Sequence, residues 1–255
     1  MKKRCPYCGK KLKKKEYEAH ILDHQSSGEK SEEKGDFKCY DDCIRCCEDP
    51  GAPLELTLGD IIRIKTHLGI KAIELFEKRC FVMWNMISGT QTMVPSVGLR
   101  FQCGFLEEGR CTIYDVRPIH CRLFPEALFT DSTPRNLKAF TDTGYKCIDR
   151  GFKIGDTDRE EMLRLSEIDE DETKATAEYF DNFRYSYELS NMEFNLVSDL
   201  LKDVDDLDKN EKRRDICTDM ISSELKNKAE DDFIEKIKEL DDRKDLEKPA
   251  LSVTL

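Results

Sequence analysis

Twelve cysteines are the residues of this 255-residue chain whose spacing points most directly to chemistry. The first four of the predicted cluster form a C-x3-C-x2-C-C motif, and the later ones stand further apart. Short spacings let several thiolates meet at one centre, and distant cysteines can complete its coordination shell. No apolar leader follows the N-terminal Met-Lys-Lys-Arg, so we expect a cytoplasmic protein whose cysteines bind metal instead of forming disulfides. The predicted cluster ligands are Cys39, Cys43, Cys46, Cys47, Cys103, Cys111, Cys121 and Cys147.

The residues between these cysteines complete a longer pattern. After the first motif come Cys103-Gly-Phe-Leu, then Cys111-Thr-Ile-Tyr-Asp-Val-Arg-Pro-Ile-His-Cys121-Arg-Leu-Phe-Pro, and finally Cys147. This order resembles the YkgJ-like cysteine-cluster family, which is described as zinc- or iron-chelating and in some members as an iron–sulfur oxidoreductase. The resemblance spans about residues 37–150 and implies metal ligation by the eight cysteines. It specifies neither the metal nor a reaction.

The identity of the metal in this cluster has two alternatives. Thiolate-rich sites suit zinc and iron–sulfur clusters alike, and we take an iron–sulfur cluster as the first expectation and zinc as the alternative. The side chains of Cys46 and Cys47 diverge because the two residues are consecutive, so they serve two adjacent centres or one of them lies outside the coordination shell. Arginines interleaved with the cysteines can supply counter-charge: Arg45, Arg100, Arg110, Arg117 and Arg122.

A second metal motif lies at the N-terminus. Cys5, Cys8, His20 and His24 have the spacing C-x2-C-x11-H-x3-H, which resembles a Cys2His2 zinc finger with one residue fewer in its central spacer. The two histidines are four apart and therefore share one helix face. Lysines between residues 10 and 15 could contact nucleic acid, or the finger could dock a protein. We predict a zinc-dependent fold for this finger, and a protein partner for the chain with nucleic acid as a further possibility.

Five other residues have less specific roles. We expect the ring of His120 to be packed against or bonded to the cluster loop instead of ligating metal, and Tyr114 to pack in the core. For Arg117, a buried ion pair or carbonyl clamp and a cofactor contact are equally open. Cys80 and Cys217 have no partner at ligand spacing and are expected to be buried thiols.

Charge divides the chain into modules that must position these ligands. The net charge is +4 over residues 1–35, zero over 36–155 and −15 over 156–255. We therefore predict a zinc finger (1–25), a polar linker (26–36), a cysteine-cluster metal-binding domain (37–155), an acidic helical region (156–247) and a frayed tail (248–255). No apolar run approaches the roughly 20 residues of a membrane span, so no membrane partner is expected.

Periodicity predicts a mostly α fold with a small, irregular α+β core held together by metal. Thr57-Leu-Gly-Asp60 resembles a capping box that opens a helix over Leu58–Leu68, and Gly69 ends that helix. A second helix is expected near 71–79, and extended pieces at 91–102 and 111–115. Beyond 156, three groups of apolar residues are each predicted to share one helix face: Phe180, Phe183 and Tyr187; Phe194, Val197, Leu201 and Val204; and Phe233, Ile237 and Leu240.

The function expected from these features is that of a metal-binding cysteine-cluster protein, a redox or metal-dependent accessory to a larger system. Two alternatives remain: an iron–sulfur oxidoreductase, and a zinc-stabilised adaptor that docks nucleic acid or protein through its finger. Whether the protein is an enzyme is left open, and no catalytic residue is assigned. Radical S-adenosylmethionine chemistry is disfavoured because Arg45 replaces the usual aromatic residue and no alternating strand–helix pattern follows.

Overall fold

A computed structural model describes residues 2–4, 11–13, 16, 47, 54–100, 102–124, 156–204 and 209–253. Over these residues the fold is mostly α with small sheets, which confirms the predicted fold class. The described α-helices are α1 (Leu58–Leu68), α2 (Ala72–Arg79), α3 (Ile119–Leu123), α4 (Asp156–Phe180), α5 (Asn191–Leu200), α6 (Lys209–Met220), α7 (Ser223–Glu239) and α8 (Lys244–Ser252). None of them combines the length and apolar composition needed to cross a bilayer.

The described strands form three small antiparallel sheets. The strands are β1 (Lys2–Arg4), β2 (Lys11–Lys13), β3 (Leu54–Glu55), β4 (Cys80–Met86), β5 (Thr92–Leu99), β6 (Leu106–Glu107), β7 (Arg110–Cys111) and β8 (Tyr187–Glu188). In the largest sheet β5 pairs with β3, β4 and β8. Strand β5 therefore joins β3, from the cysteine-rich segment, to β8, from the acidic region.

Helix α1 begins and ends where the sequence predicts. The Thr57 hydroxyl accepts a hydrogen bond from the backbone N–H of Asp60 at 3.0 Å, and the Asp60 carboxylate accepts one from the Thr57 N–H at 3.1 Å. This reciprocal pair satisfies donors that have no partner inside the helix. Gly69 ends α1 with a φ of 65°, a left-handed conformation that glycine adopts without steric cost.

The main hydrophobic core crosses residue 155, the sequence-derived boundary between the cysteine-rich and acidic segments. Its buried residues come from α1, α2 and β5 and also from α4, α7 and α8. At its centre the rings of Phe180 and Phe233 stack with centroids 4.7 Å apart. Burying each such ring contributes about 1.5–3 kcal/mol, so both segments depend on this common core. The predicted module boundaries themselves stay predictions.

Two features of the acidic region differ from the sequence prediction. Helix α4 ends at Phe180, and Asp181 follows in a left-handed conformation with a φ of 54°. Phe183 therefore lies in a 3-10 turn and is 61% exposed, while Tyr187 is in β8, so the predicted common helix face of these aromatic residues is wrong. Phe233, Ile237 and Leu240 are all buried in the core as predicted.

The C-terminal end of the described chain is helical where the sequence predicts fraying from residue 248. Helix α8 continues to Ser252, and Ala250 is buried against the main core. The guanidinium of Arg63 donates to the Ala250 carbonyl at 3.4 Å, and Lys65 forms an ion pair with Glu247 at 3.0 Å. These contacts with α1 explain why the helix persists beyond the predicted end.

Candidate metal centre

A backbone hydrogen bond brings the two cysteine motifs together. The N–H of Cys103 donates to the carbonyl of Cys47 at 2.9 Å, although the residues are far apart in sequence. Cys47 is the last member of the first motif, and Cys103 is the first member of the second. The fold therefore places the end of one motif directly against the start of the other.

A small hairpin places Cys111 near Cys103. The Cys103 carbonyl accepts from the Leu106 N–H at 2.9 Å, and Leu106 pairs with Cys111 across β6 and β7. The turn between these strands is tight, with Glu108 and Gly109 at φ values of 49° and 76°. Both cysteines pack against the edge of the main core. The hairpin thus presents two candidate ligands from one short loop.

The Arg79 side chain approaches the backbone of Gly104, the residue after Cys103, closely. A Cβ atom on Gly104 would lie 2.5 Å from Arg79 Nη1 and 2.6 Å from its Cδ. The Arg79 guanidinium lies 5.6 Å from the centroid of the Phe105 ring, which is buried. Arg79 therefore holds the Gly-Phe part of the Cys103 loop against α2.

Cys121 lies in α3, which the end of β3 and the start of α1 hold in place. The Asp60 carboxylate accepts from the N–H of Ile119 at 3.0 Å, and the Cys121 N–H donates to Pro118 at 2.9 Å. His120 Nδ1 lies 3.1 Å from the carbonyl of Glu55. The two residues before Cys121 therefore attach α3 to its neighbours: Ile119 to α1 and His120 to β3.

His120 is held by two partners outside the cluster loop, the Glu55 carbonyl in β3 and the Asp169 carboxylate in α4. Its Nε2 lies 3.2 Å from the carboxylate of Asp169 on α4. Burial alone would lower the pKa of His120, but the hydrogen bond and the charge of Asp169 outweigh burial and raise the pKa to about 9. A carbonyl and a carboxylate both accept, so the protonated ring donates from both nitrogens.

Among the described cysteines, those of the predicted cluster are more exposed than Cys80 and Cys217. Cys47, Cys103, Cys111 and Cys121 are half-buried, whereas Cys80 and Cys217 are 1% and 0% exposed. Burial raises the pKa of Cys80 to about 12 and also raises that of Cys217, so both remain thiols. The prediction that these two are buried thiols is confirmed.

The described residues contain only part of the predicted ligand set. Among them, no three His, Cys, Asp or Glu side chains are gathered closely enough to hold a metal ion. The predicted ligands outside the described residues are Cys5, Cys8, His20, His24, Cys39, Cys43, Cys46 and Cys147. The convergence of all eight cluster cysteines therefore stays a prediction, with the Cys47–Cys103 contact as its first described element.

Arg117 and Arg122 lie on either side of Cys121 in the sequence. The Arg117 guanidinium lies 4.2 Å from the centroid of the Tyr114 ring, and Tyr114 is 44% exposed. The expected core packing of Tyr114 is therefore wrong, because it lies on a surface 3-10 turn. Burial and the neighbouring Arg117 charge lower the pKa of Arg122, whose Nη2 is 3.8 Å from Glu161. The role of these arginines as counter-charge for the thiolates stays a prediction.

A buried polar network supports this region and was not found by sequence reasoning. Arg63 Nη2 donates to Asp60 at 2.8 Å and to Glu172 on α4 at 2.8 Å. Asp60 is fully buried, and this burial raises its pKa although the Arg63 charge acts in the opposite direction. The capping pattern indicated Asp60 as a helix cap, but no local pattern reveals a partner more than a hundred residues away.

The cysteine-rich segment matches a known family. Residues 38–148 match the model of the CxxCxxCC family, described as a "Putative zinc- or iron-chelating domain". The match supports the cysteine-cluster resemblance and a metal-binding role for this segment. No curated protein and no solved structure matches the chain.

The donors present fit zinc or iron. Thiolates are the ligands both metals take in tetrahedral sites, and the half-buried cysteines can be reached by an ion whereas Cys80 and Cys217 cannot. The backbone contact between Cys47 and Cys103 joins donors from two motifs. Such an arrangement can bind a metal and stabilise the loops that supply its ligands.

Proposed function

We propose that the segment 37–155 binds zinc or iron through its cysteine thiolates and that the protein is a metal-dependent accessory protein. The observation that carries the proposal is the 2.9 Å hydrogen bond between Cys103 and Cys47, because it joins both motifs of the family pattern. An iron–sulfur cluster with a redox role is the first form of this proposal, and a zinc site with a structural role is the second. Bound iron–sulfur would supply electron transfer, and zinc would supply folding energy.

Anaerobic purification of the full chain with metal and sulfide analysis tests this proposal. Stoichiometric iron with acid-labile sulfide and visible charge-transfer bands supports the redox form, and stoichiometric zinc alone supports the structural form. The absence of stoichiometric metal would refute metal binding itself.

A matched pair of cysteine variants tests which thiols hold the metal. Cys103→Ala removes a half-buried cluster thiol, whereas Cys80→Ala removes a thiol that is 1% exposed. We expect Cys103→Ala to lose metal and Cys80→Ala to retain it, although both delete the same atom. Equal metal content in the two variants would contradict the assignment of Cys103 as a ligand.

We also propose that the N-terminal finger binds zinc separately. Strands β1 and β2 pair with Arg4 opposite Lys11, and the six residues between the strands include Cys5 and Cys8. A two-stranded hairpin with two cysteines at its turn is the first half of a Cys2His2 finger. The zinc-bound finger then docks protein or nucleic acid.

Zinc stoichiometry of the full chain tests the finger. We expect His24→Ala to lower the metal content by one zinc, while Lys13→Ala, at an exposed position of β2, leaves it unchanged. Unchanged zinc content in His24→Ala would contradict the assignment of that ligand.

A further inference from the structure

Helix α5 exposes an apolar stripe beside the face that makes its core contacts. Met192, Leu196 and Leu200 are 79%, 50% and 54% exposed, and they follow one another at intervals of four residues. Residues at this spacing lie on one face of a helix. Val197 and Leu201 on the neighbouring face are 2% and 3% exposed and belong to a second core cluster with Trp84 and Met93. The stripe is therefore not the face that folds this helix onto the protein.

The helix that bears the stripe is held rigidly. Ser190 and Glu193 form a reciprocal capping box at its start, and the Tyr187 hydroxyl donates to Glu193 at 2.6 Å. Val197 and Leu201 attach its neighbouring face to the core. A surface held in this way loses little conformational entropy when a partner binds.

The charges around the stripe are negative. Between residues 188 and 203 the chain has four acidic residues and one basic residue, Lys202. Asp199 lies between Leu196 and Leu200 and is 65% exposed, and Asp203 is exposed one turn further on. Lys202 forms an exposed ion pair with Asp199 at 2.7 Å, which leaves Glu188, Glu193 and Asp203 as the excess charge. Helix α6, which contacts α5, adds Lys212, Arg213 and Arg214, but residues 188–220 still contain ten acidic and five basic residues. This excess of negative charge repels nucleic acid, anionic membranes and a second copy of the same face.

We propose that the stripe formed by Met192, Leu196 and Leu200 docks a basic amphipathic helix of a partner protein. The partner's apolar residues, spaced three or four apart, pack on the stripe, and its lysines or arginines face the acidic rim. The unbranched side chain of Met192 adapts its shape to the partner. This surface involves no cysteine of the cluster. A failure of the docking proposal would therefore leave the metal-binding proposal unaffected, and the reverse also holds.

A synthetic 18-residue helix of leucine and lysine, with leucines on one face, is the probe. Binding of the labelled peptide to the full metal-loaded chain is measured by fluorescence anisotropy. We expect saturable binding that weakens with added salt, and about tenfold weaker binding to the triple variant Met192→Gln/Leu196→Gln/Leu200→Gln. The matched control is Leu163→Gln on α4, because Leu163 is 58% exposed outside the stripe and its replacement should leave the affinity unchanged.

Three outcomes would overturn the proposal. The first is equal affinity of the triple variant and the wild-type chain while circular dichroism shows both folded. The second is equally tight binding of a peptide in which glutamate replaces every lysine. The third is concentration-dependent dimerisation in sedimentation that the triple variant abolishes, because the stripe would then be occupied by a second copy.

Discussion

Replacing Arg63 with methionine should destabilise the protein because it leaves two buried carboxylates without their cation. Arg63, Asp60 and Glu172 are 4%, 0% and 12% exposed, and the guanidinium bonds to both carboxylates. Breaking a buried ion pair from one side costs about 3–5 kcal/mol, and methionine retains most of the apolar stem. This is a large part of the 5–15 kcal/mol by which a typical domain is stable. Denaturant unfolding of the metal-loaded chain, followed by circular dichroism, measures the loss.

The loss of stability caused by Arg63→Met should become smaller at low pH. Burial raises the pKa of Asp60, and the Arg63 charge opposes that effect, so the variant should raise this pKa further. The cost comes from the ionised carboxylate, so it is fully present above the folded-state pKa of Asp60 and disappears as the pH falls below it. The free-energy difference between variant and wild type is therefore expected to be smaller at pH 5 than at pH 7.

An exposed ion pair provides the control for this measurement. Lys78 and Glu74 are 64% and 41% exposed and form a pair at 2.8 Å on α2. Lys78→Met should change the free energy of unfolding by less than about 0.5 kcal/mol. A loss below about 1 kcal/mol in Arg63→Met, or a loss that grows as the pH falls, would refute the reasoning about the buried network.

Three further changes probe other contacts around the candidate metal centre. Gly104→Ala should force Arg79 away from the loop and destabilise the fold by about 1–3 kcal/mol in thermal unfolding, because the added Cβ overlaps the Arg79 side chain. Thr57→Ala should cost about 1–2 kcal/mol in denaturant unfolding, because the start of α1 loses its side-chain cap. Asp169→Asn should lower the pKa of His120 from about 9 in an NMR titration, because burial is then less opposed. In the wild type this pair stabilises fully below the unfolded-state pKa of about 6.5, and its contribution is lost as the pH rises through about 9.

Each of these expectations has a contrary result. A Gly104→Ala variant with an unchanged melting temperature would show that Arg79 moves aside without cost. Ser190→Ala removes an exposed cap on α5, and a larger loss there than in Thr57→Ala would contradict the importance given to burial. An unchanged His120 pKa in Asp169→Asn would mean that the Asp169 carboxylate does not stabilise the protonated ring of His120.

Local patterns in the sequence predicted the local parts of the fold. The cap at Thr57 and the glycine stop at Gly69 bound α1 as expected, because both signals act within one helical turn. The buried face of α7 was also predicted, since it follows a regular helical period. The end of α4 at Phe180 was missed, because the aromatic spacing continued the period after the backbone had left the helix.

The sequence predicted the contact between the two cysteine motifs, but not the residues that support it, and the full ligand set stays a prediction. Cysteine spacing indicated Cys47 and Cys103 as members of one cluster, and the backbone contact between them agrees with that prediction. The partner of His120 lies on α4 in a region that the charge analysis assigned to a separate acidic module. Such contacts depend on how distant elements pack, and no short window of sequence contains that information.

The common core limits how the cysteine-rich segment can be isolated as a fragment. A fragment that ends at residue 155 would lack Phe180 and Phe233 and would turn Leu56, Ile64 and their neighbours toward water. At about 25 cal/mol for each Å² of apolar surface, that exposure favours aggregation over a soluble fragment. Metal affinities measured on such a fragment would report the association of exposed surfaces together with ion binding. The acidic helices α4 and α7 thus cover apolar surface of the segment that carries the cysteines.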